Sequence, residues 1–209
     1  LQHQIGLYRR TRLRRPAARI PASGIARLGV VADTHIPDRI KALPPRLLDV
    51  LRGVDLLLHA GDISHPRVLD ELAQIAPVVA VQGNRDIWYR ANWRLPLQMV
   101  VQVGDVRIGM AHGHGGLAGY IGEKLMYYTV GYYFSRYEKR MLNWFNNVQA
   151  LVFGHSHHPV NEVRDGVLLF NPGSAGPDYE TGRGAEVGML TVDATAKSVR
   201  GEIIPLPPP

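Results

Sequence analysis

Residues 28–35 read Leu28-Gly29-Val30-Val31-Ala32-Asp33-Thr34-His35, a short apolar run that stops on an acid and a histidine two positions apart. A run of this length closed by polar residues is a buried strand. Downstream the pattern recurs. Leu43 to Leu51 is apolar at 43, 47, 48 and 51, a helical period, and leads to a second strand at Val54 to His59, which ends before Gly61-Asp62. Val68 to Ile75 repeats the helix. A third strand at Pro77 to Val81 ends before Gly83-Asn84-Arg85-Asp86. Strands alternating with helical stretches indicate βαβ units and a parallel sheet. The C-terminal ends of such strands line one edge, where ligands bind.

The middle of the chain switches to antiparallel signals. Met99 to Val103, the pair Gly104-Asp105 and Val106 to Ala111 read as a hairpin that runs straight into His112-Gly113-His114. Residues 118–147 form the longest helical candidate, rich in aromatics, mostly Tyr, with Gly131 as a break point. Ala150 to Phe153 returns to strand character and ends in Gly154-His155-Ser156-His157-His158. Val160 to Arg164 and Val167 to Phe170 flank Asp165-Gly166 as a second hairpin, and Val187 to Val192 and Ser198 to Ile204 are closing strands. The tail 205–209 is proline-rich and is not expected to join a ladder.

The 209 residues, 45% hydrophobic and 20% charged, suit a folded chain with one core and exclude a wholly disordered or collagen-like one. No stretch approaches the 18 or so apolar residues of a membrane span. The net charge of +6 suggests a nucleic-acid binder until it is located. Residues 1–27 hold seven arginines and no acid, whereas residues 28–209 hold 17 basic and 18 acidic side chains. The excess charge therefore belongs to a segment 1–26 that reads as a flexible basic tail, with a solvated arm favoured over a polyanion contact. It lacks the apolar core of a signal peptide, so a cytoplasmic protein is expected. With no cysteine, disulfides and thiolate ligands are excluded.

Five predicted strand ends deliver oxygen and nitrogen donors: Asp33 with His35, Asp62, Asn84, His112, and His155 with His157. Where a strand gives way to a turn, residues two apart can point the same way and reach one site. Imidazole, carboxylate and amide without thiolate suit Mn, Fe, Ni or Zn. Seven donors exceed one tetrahedral ion and fit two ions that share a carboxylate, as in two-metal phosphoester hydrolases.

The ordered motifs Asp-x-His (33–35), Gly-Asp (61–62), Gly-Asn-x-Asp (83–86), His-Gly-His (112–114) and Gly-His-Ser-His (154–157) resemble the calcineurin-like metallophosphoesterases. With Asn171-Pro172-Gly173-Ser174, they are similar to the small bacterial and archaeal phosphodiesterase branch. The likeness covers about residues 27–204. It implies a four-layer α-β-β-α sandwich of two mixed sheets with two divalent metal ions, manganese first among the candidates, at one sheet edge. On that pattern Asp33, His35 and His157 bind one ion, Asn84, His112 and His155 the other, and Asp62 bridges them, although another partition of the histidines is open. Asp86 is expected to orient its neighbours. His59 is expected to be a packed, hydrogen-bonded histidine, and His65 and His158 incidental. Gly173 and Ser174 are expected to make a turn beside the metals.

The resemblance implies hydrolysis of a small phosphoester, favouring phosphodiesters, by a metal-bridging hydroxide. Many relatives place a histidine after the motif asparagine to protonate the leaving group, whereas this chain has Arg85, which stays charged and can clamp a phosphoryl oxygen. Either His114 or a metal-bound water then handles the proton, or good leaving groups depart without a general acid. The alternatives are a phosphomonoesterase on a small metabolite or nucleotide, a nuclease using the basic tail, and a protein-assembly scaffold. Scaffold relatives have lost donors, whereas here every donor position is filled. The segment 118–147 is expected to be a packed helical pair, with a cap over the metal edge or a homo-oligomer surface as the sharper reading.

Overall fold

The computed structural model describes residues 18–20, 23–89, 92, 94–116, 119–122, 125, 129, 134–176 and 182–207. In chain order, β1 (Ala18–Ile20) and β2 (Ile25–Val31) precede α1 (Pro45–Val50), followed by β3 (Leu56–His59), α2 (Arg67–Leu72) and β4 (Val78–Ala80). The hairpin of β5 (Gln98–Val103) and β6 (Val106–Ala111) leads to α3 (Phe134–Trp144) and β7 (Ala150–Val152). A second hairpin, β8 (Val160–Arg164) and β9 (Val167–Asn171), is followed by β10 (Glu186–Asp193) and β11 (Ser198–Pro205).

Among the described residues these strands form two mixed sheets, ordered β11-β10-β2-β3-β4 and β1-β5-β6-β7-β9-β8. In the first, β2, β3 and β4 are parallel and β10 runs antiparallel to β2. In the second, β6, β7 and β9 are parallel. Strand alternation sorts the buried residues into three apolar layers. Leu28, Val30 and Leu58 of the first sheet meet Val101, Ile108, Val152 and Phe170 of the second in the central layer. Val31, Leu57 and Met189 face outward onto Leu47 of α1 and Val68 and Leu72 of α2. On the far side Val100, Leu151 and Leu169 pack against Met141 of α3 and Phe145 just beyond it. Three apolar layers between helix, sheet, sheet and helix make the four-layer α/β sandwich.

Two terminal expectations need correction. Ala18–Ile20 lies inside the segment read as a flexible tail, yet it pairs in parallel with Val101–Val103, and Gly104 donates its N–H to Ile20 at 3.0 Å. Ile20 also packs against the central layer. A strand of three residues is too short to show a period, and the open edge of β5 is what recruits it. At the other end Pro205 closes β11 opposite Glu186, and Leu206 donates its N–H to the Ala185 carbonyl at 2.8 Å while burying its side chain against the α1 and α2 layer. Proline is tolerated there because β11 is an edge strand and its last residue can accept without donating. Within 118–147, Phe134–Trp144 is helical, and much of the preceding part lies outside the described residues. No helix among the described residues is long and apolar enough to cross a membrane.

Candidate metal centre

The C-terminal ends of β2, β3, β4, β6 and β7 come to one edge of the sandwich and carry the residues singled out above. At three of these ends the backbone leaves the ladder through the left-handed region: Asp33 (φ 53°), His35 (48°), Asp62 (55°), His155 (72°) and His157 (55°). That conformation costs L-residues roughly 1–3 kcal/mol each and persists only where the surroundings enforce it. The kinks turn donors two residues apart toward one point. Close approach is secured by two glycines: a Cβ on Gly83 would collide with the backbone nitrogen and Oδ1 of Asp62, and one on Gly154 would press on Asp33 Oδ2.

The donors converge. Asp33, fully buried, accepts from the His155 N–H through Oδ2 at 3.0 Å. Its Oδ1 has no hydrogen-bond partner and lies 3.4 Å from His157 Nε2, 3.7 Å from His35 Nε2 and 3.9 Å from His112 Nε2. Asp62 presents Oδ1 to His112 Nε2 at 3.4 Å and Oδ2 to His35 Nε2 at 3.7 Å. Donor atoms of Asp33, His35 and His157 lie within 4.8 Å of one another, as do those of Asp33, Asp62 and His112. Asn84 joins through Oδ1, 3.1 Å from His112 Nε2. His155 stacks edge-on against His112 with ring centroids 5.0 Å apart.

This donor set fits divalent cations. His112 Nδ1 is 2.8 Å from the Ala60 carbonyl, to which it must donate, so Nε2 of the neutral ring turns a lone pair toward carboxylate and amide oxygens. His35 and His157 meet Nε2 to Nε2 at 3.2 Å. Acceptors aimed at acceptors require positive charge between them. Burial would lower His112, yet Asp62 and Asp33 push it up to about 9. A proton thus takes the place a cation would fill. Burial likewise opposes ionisation of the carboxylates, but His157 and His112 hold Asp33 below the usual range, and His112 and His35 hold Asp62 well below it. Burial pushes His35 down to about 4. The carboxylates are thus ionised and His35 neutral, the states metal ligation needs, while an ion would take the place of the proton on His112.

Asp86 organises the surrounding loops. Its Oδ1 accepts from the N–H groups of Ile63 and Ser64 at 3.0 and 2.9 Å, and its Oδ2 from those of Asp62 and Gly83 at 3.1 and 2.7 Å. Burial raises this carboxyl to about 6 against those donors. Asn92, which no sequence signal marked, donates to Asp86 Oδ1 at 2.9 Å and to the Ser64 carbonyl at 2.8 Å. His59 is packed as expected, with Nε2 3.3 Å from Thr34 Oγ1 and Nδ1 accepting from the Gly61 N–H at 3.3 Å. The turn at Gly173 and Ser174 also lies beside the site, with Ser174 Oγ donating to the Asp33 carbonyl at 3.0 Å. Asn171 secures the histidine loop by donating to the Gly154 carbonyl at 3.0 Å.

Arg85 contributes its backbone, donating to Asp62 Oδ1 at 2.7 Å, while its side chain is exposed. His114 is buried next to the cluster, its ring 5.4 Å from that of His112 and 6.2 Å from that of His155. Burial, with His112 and His155 close by, pushes it down to about 3. Arg39, also unmarked in the sequence, places Nη1 3.1 Å from His157 Nδ1.

Comparison with known proteins identifies relatives of this chain. A model of the calcineurin-like phosphoesterase superfamily domain matches residues 27–195. A probable metallophosphoesterase of Methanocaldococcus jannaschii is 36% identical over 152 residues, 72% of this chain and 69% of that protein. One from Methanothermobacter thermautotrophicus is 37% identical over 148 residues, 70% of this chain and 76% of its own length. Among solved structures, Vacuolar Protein Sorting 29 from Cryptosporidium parvum has the same fold at a TM-score of 0.61 and 18% identity, covering 89% of this chain and all of that one.

Proposed function

This chain belongs to the calcineurin-like phosphoesterase superfamily, and from that membership we propose that it is a dinuclear metal-dependent hydrolase that favours phosphodiesters. The observation that carries the reading is the buried, unpartnered Asp33 Oδ1 set among three imidazole nitrogens. Asp33, His35 and His157 would hold one ion, and Asn84, His112 and His155 the other. Asp62, with one oxygen toward His112 and one toward His35, would serve both. Manganese is the first candidate, with iron, nickel and zinc accepted by the same donors. When bound, the ions supply Lewis acidity that makes water a nucleophile at neutral pH and neutralise the phosphoryl oxygens.

The chain's own groups do the rest. Gly83 and Gly154 leave room for the carboxylates to sit against backbone, and Asp86 keeps the Asp62 and Gly83 loops at a fixed distance. The exposed, permanently charged Arg85, next to Asn84, is suited to bind a phosphoryl oxygen. His114, neutral at pH 7, has no ready proton to give, which supports departure of good leaving groups without a general acid. Turnover of aryl diesters should then fall steeply as leaving-group pKa rises, and His114→Ala should leave that slope unchanged. Arg85→His, which installs a titratable group, should flatten it. A flat slope in the unmodified protein would overturn the absence of a general acid.

The metal requirement is tested by stripping the protein with a chelator and assaying aryl diester and monoester side by side. Turnover should vanish, return with Mn²⁺ and favour the diester. Full activity without bound metal would overturn the proposal. Arg39 allows a subtler check. Its guanidinium sets a fixed positive charge 3.1 Å from His157 Nδ1, on the same ring whose Nε2 faces Asp33, and so opposes a cation there. Arg39→Ala should therefore tighten Mn²⁺ binding severalfold in calorimetry. Weaker binding would mean that Arg39 supports the ligand and does not compete with the ion.

A further inference from the structure

A cavity of about 210 Å³ adjoins the metal centre on the His112 and His155 side, lined by Leu97, Gln98, Gly113, His114, Gly116 and Trp144 among others. Two side-chain atoms at this lining are buried and have no hydrogen-bond partner: Nδ1 of His114, whose residue is 3% exposed, and Oε1 of Gln98. Buried polar atoms are nearly always paired, so two orphans at one cavity indicate partners that arrive with a ligand. The other described walls are an indole, a leucine and a run of glycine backbone. Gly113, Gly115 and Gly116 have φ of 115°, 76° and 74°, a path open to glycine, and the absence of Cβ atoms leaves that wall flat. Arg140 holds it in place by donating to the Gly113 carbonyl at 3.0 Å. Among the described residues no lysine, arginine or carboxylate lines the cavity, which argues against a second phosphate subsite.

Flat apolar walls, a buried carbonyl acceptor and an imidazole nitrogen match a planar heterocycle that carries an N–H donor. We propose that the cavity beside His114 is a nucleobase pocket, which takes the amino-bearing base of a nucleotide whose phosphate lies on the metal centre. Gln98 Oε1 accepts from the exocyclic amine, His114 Nδ1 pairs with a ring or sugar polar atom, and Trp144 provides an apolar face. The assignment rests on the phosphoester reading above and names its substrate class.

The test is calorimetric binding to the full chain loaded with Mn²⁺, using AMP, N6,N6-dimethyl-AMP and ribose 5-phosphate, so that no turnover is read. AMP should bind about tenfold or more tightly than ribose 5-phosphate, and dimethylation of its amine should remove most of that gain. Gln98→Leu should bring AMP down to the ribose 5-phosphate affinity and leave ribose 5-phosphate unchanged. The ligand series in the unmodified protein decides the matter even if that variant folds poorly. Equal binding of AMP and ribose 5-phosphate overturns the pocket while the metal centre stands. Failure of all three to bind overturns the phosphoester reading together with the pocket.

Discussion

Asp62→Ala should lower diester turnover by on the order of a thousandfold or more, with a parallel loss of bound metal. The size of the effect follows from the position of one side chain. Asp62 turns Oδ1 to His112 and Oδ2 to His35, so truncation removes a charge from both halves of the cluster at once. It also frees the Arg85 N–H, which donates to Oδ1 at 2.7 Å. Asp62→Asn separates charge from shape. It can still accept from Arg85 but carries no negative charge, and turnover should fall by about a hundredfold. Metal content by elemental analysis and kcat for both variants check this. Turnover within tenfold of the unmodified protein in Asp62→Ala, at unchanged metal content, would remove the reaction from this cluster.

Asp86→Ala should produce the largest loss of stability. Five donors end on this buried carboxylate: the N–H groups of Asp62, Ile63, Ser64 and Gly83, and the Asn92 amide. Alanine leaves them unpaired where water does not reach, at a cost of about 3–5 kcal/mol. For a chain of this length that is a fall in Tm of about 10–15 °C. Metal binding should weaken as well, because the loops that carry Asp62 and Asn84 lose their common anchor. Asp86→Asn should fall between. An asparagine oxygen in place of Oδ1 keeps the Ile63, Ser64 and Asn92 bonds, but its amide nitrogen then opposes the Asp62 and Gly83 N–H groups. Thermal unfolding of the two variants measures the difference. An unfolding temperature for Asp86→Ala within a few degrees of the parent would show that the loops hold without this carboxylate.

The donors of the candidate centre could be named from the sequence because metal ligation restricts side-chain chemistry and strand ends restrict position. Asp33, His35, Asp62, Asn84, His112, His155 and His157 each follow an apolar run that reads as a strand, and all seven meet at one edge. The groups that hold them there gave weaker signals. Asn92 follows no strand and belongs to no motif, so nothing in the sequence linked it to Asp86. Arg39 resembles any surface arginine until it is seen 3.1 Å from His157. The strand Ala18–Ile20 was hidden in a basic segment because its partner, β5, lies some eighty residues away.

The sequence by itself determined the fold class, the edge where the candidate donors gather and the residue types available there. These follow from hydrophobic periodicity and from the short polar clusters that end it, both local properties of the chain. Only the tertiary structure decided which oxygen faces which nitrogen, which carboxylate binds loops and which faces the histidines, and where a cavity remains beside His114. Those outcomes depend on left-handed kinks and on contacts between segments far apart in the chain. The energy of a buried polar atom depends on what surrounds it in space, and that is set only when the two sheets pack.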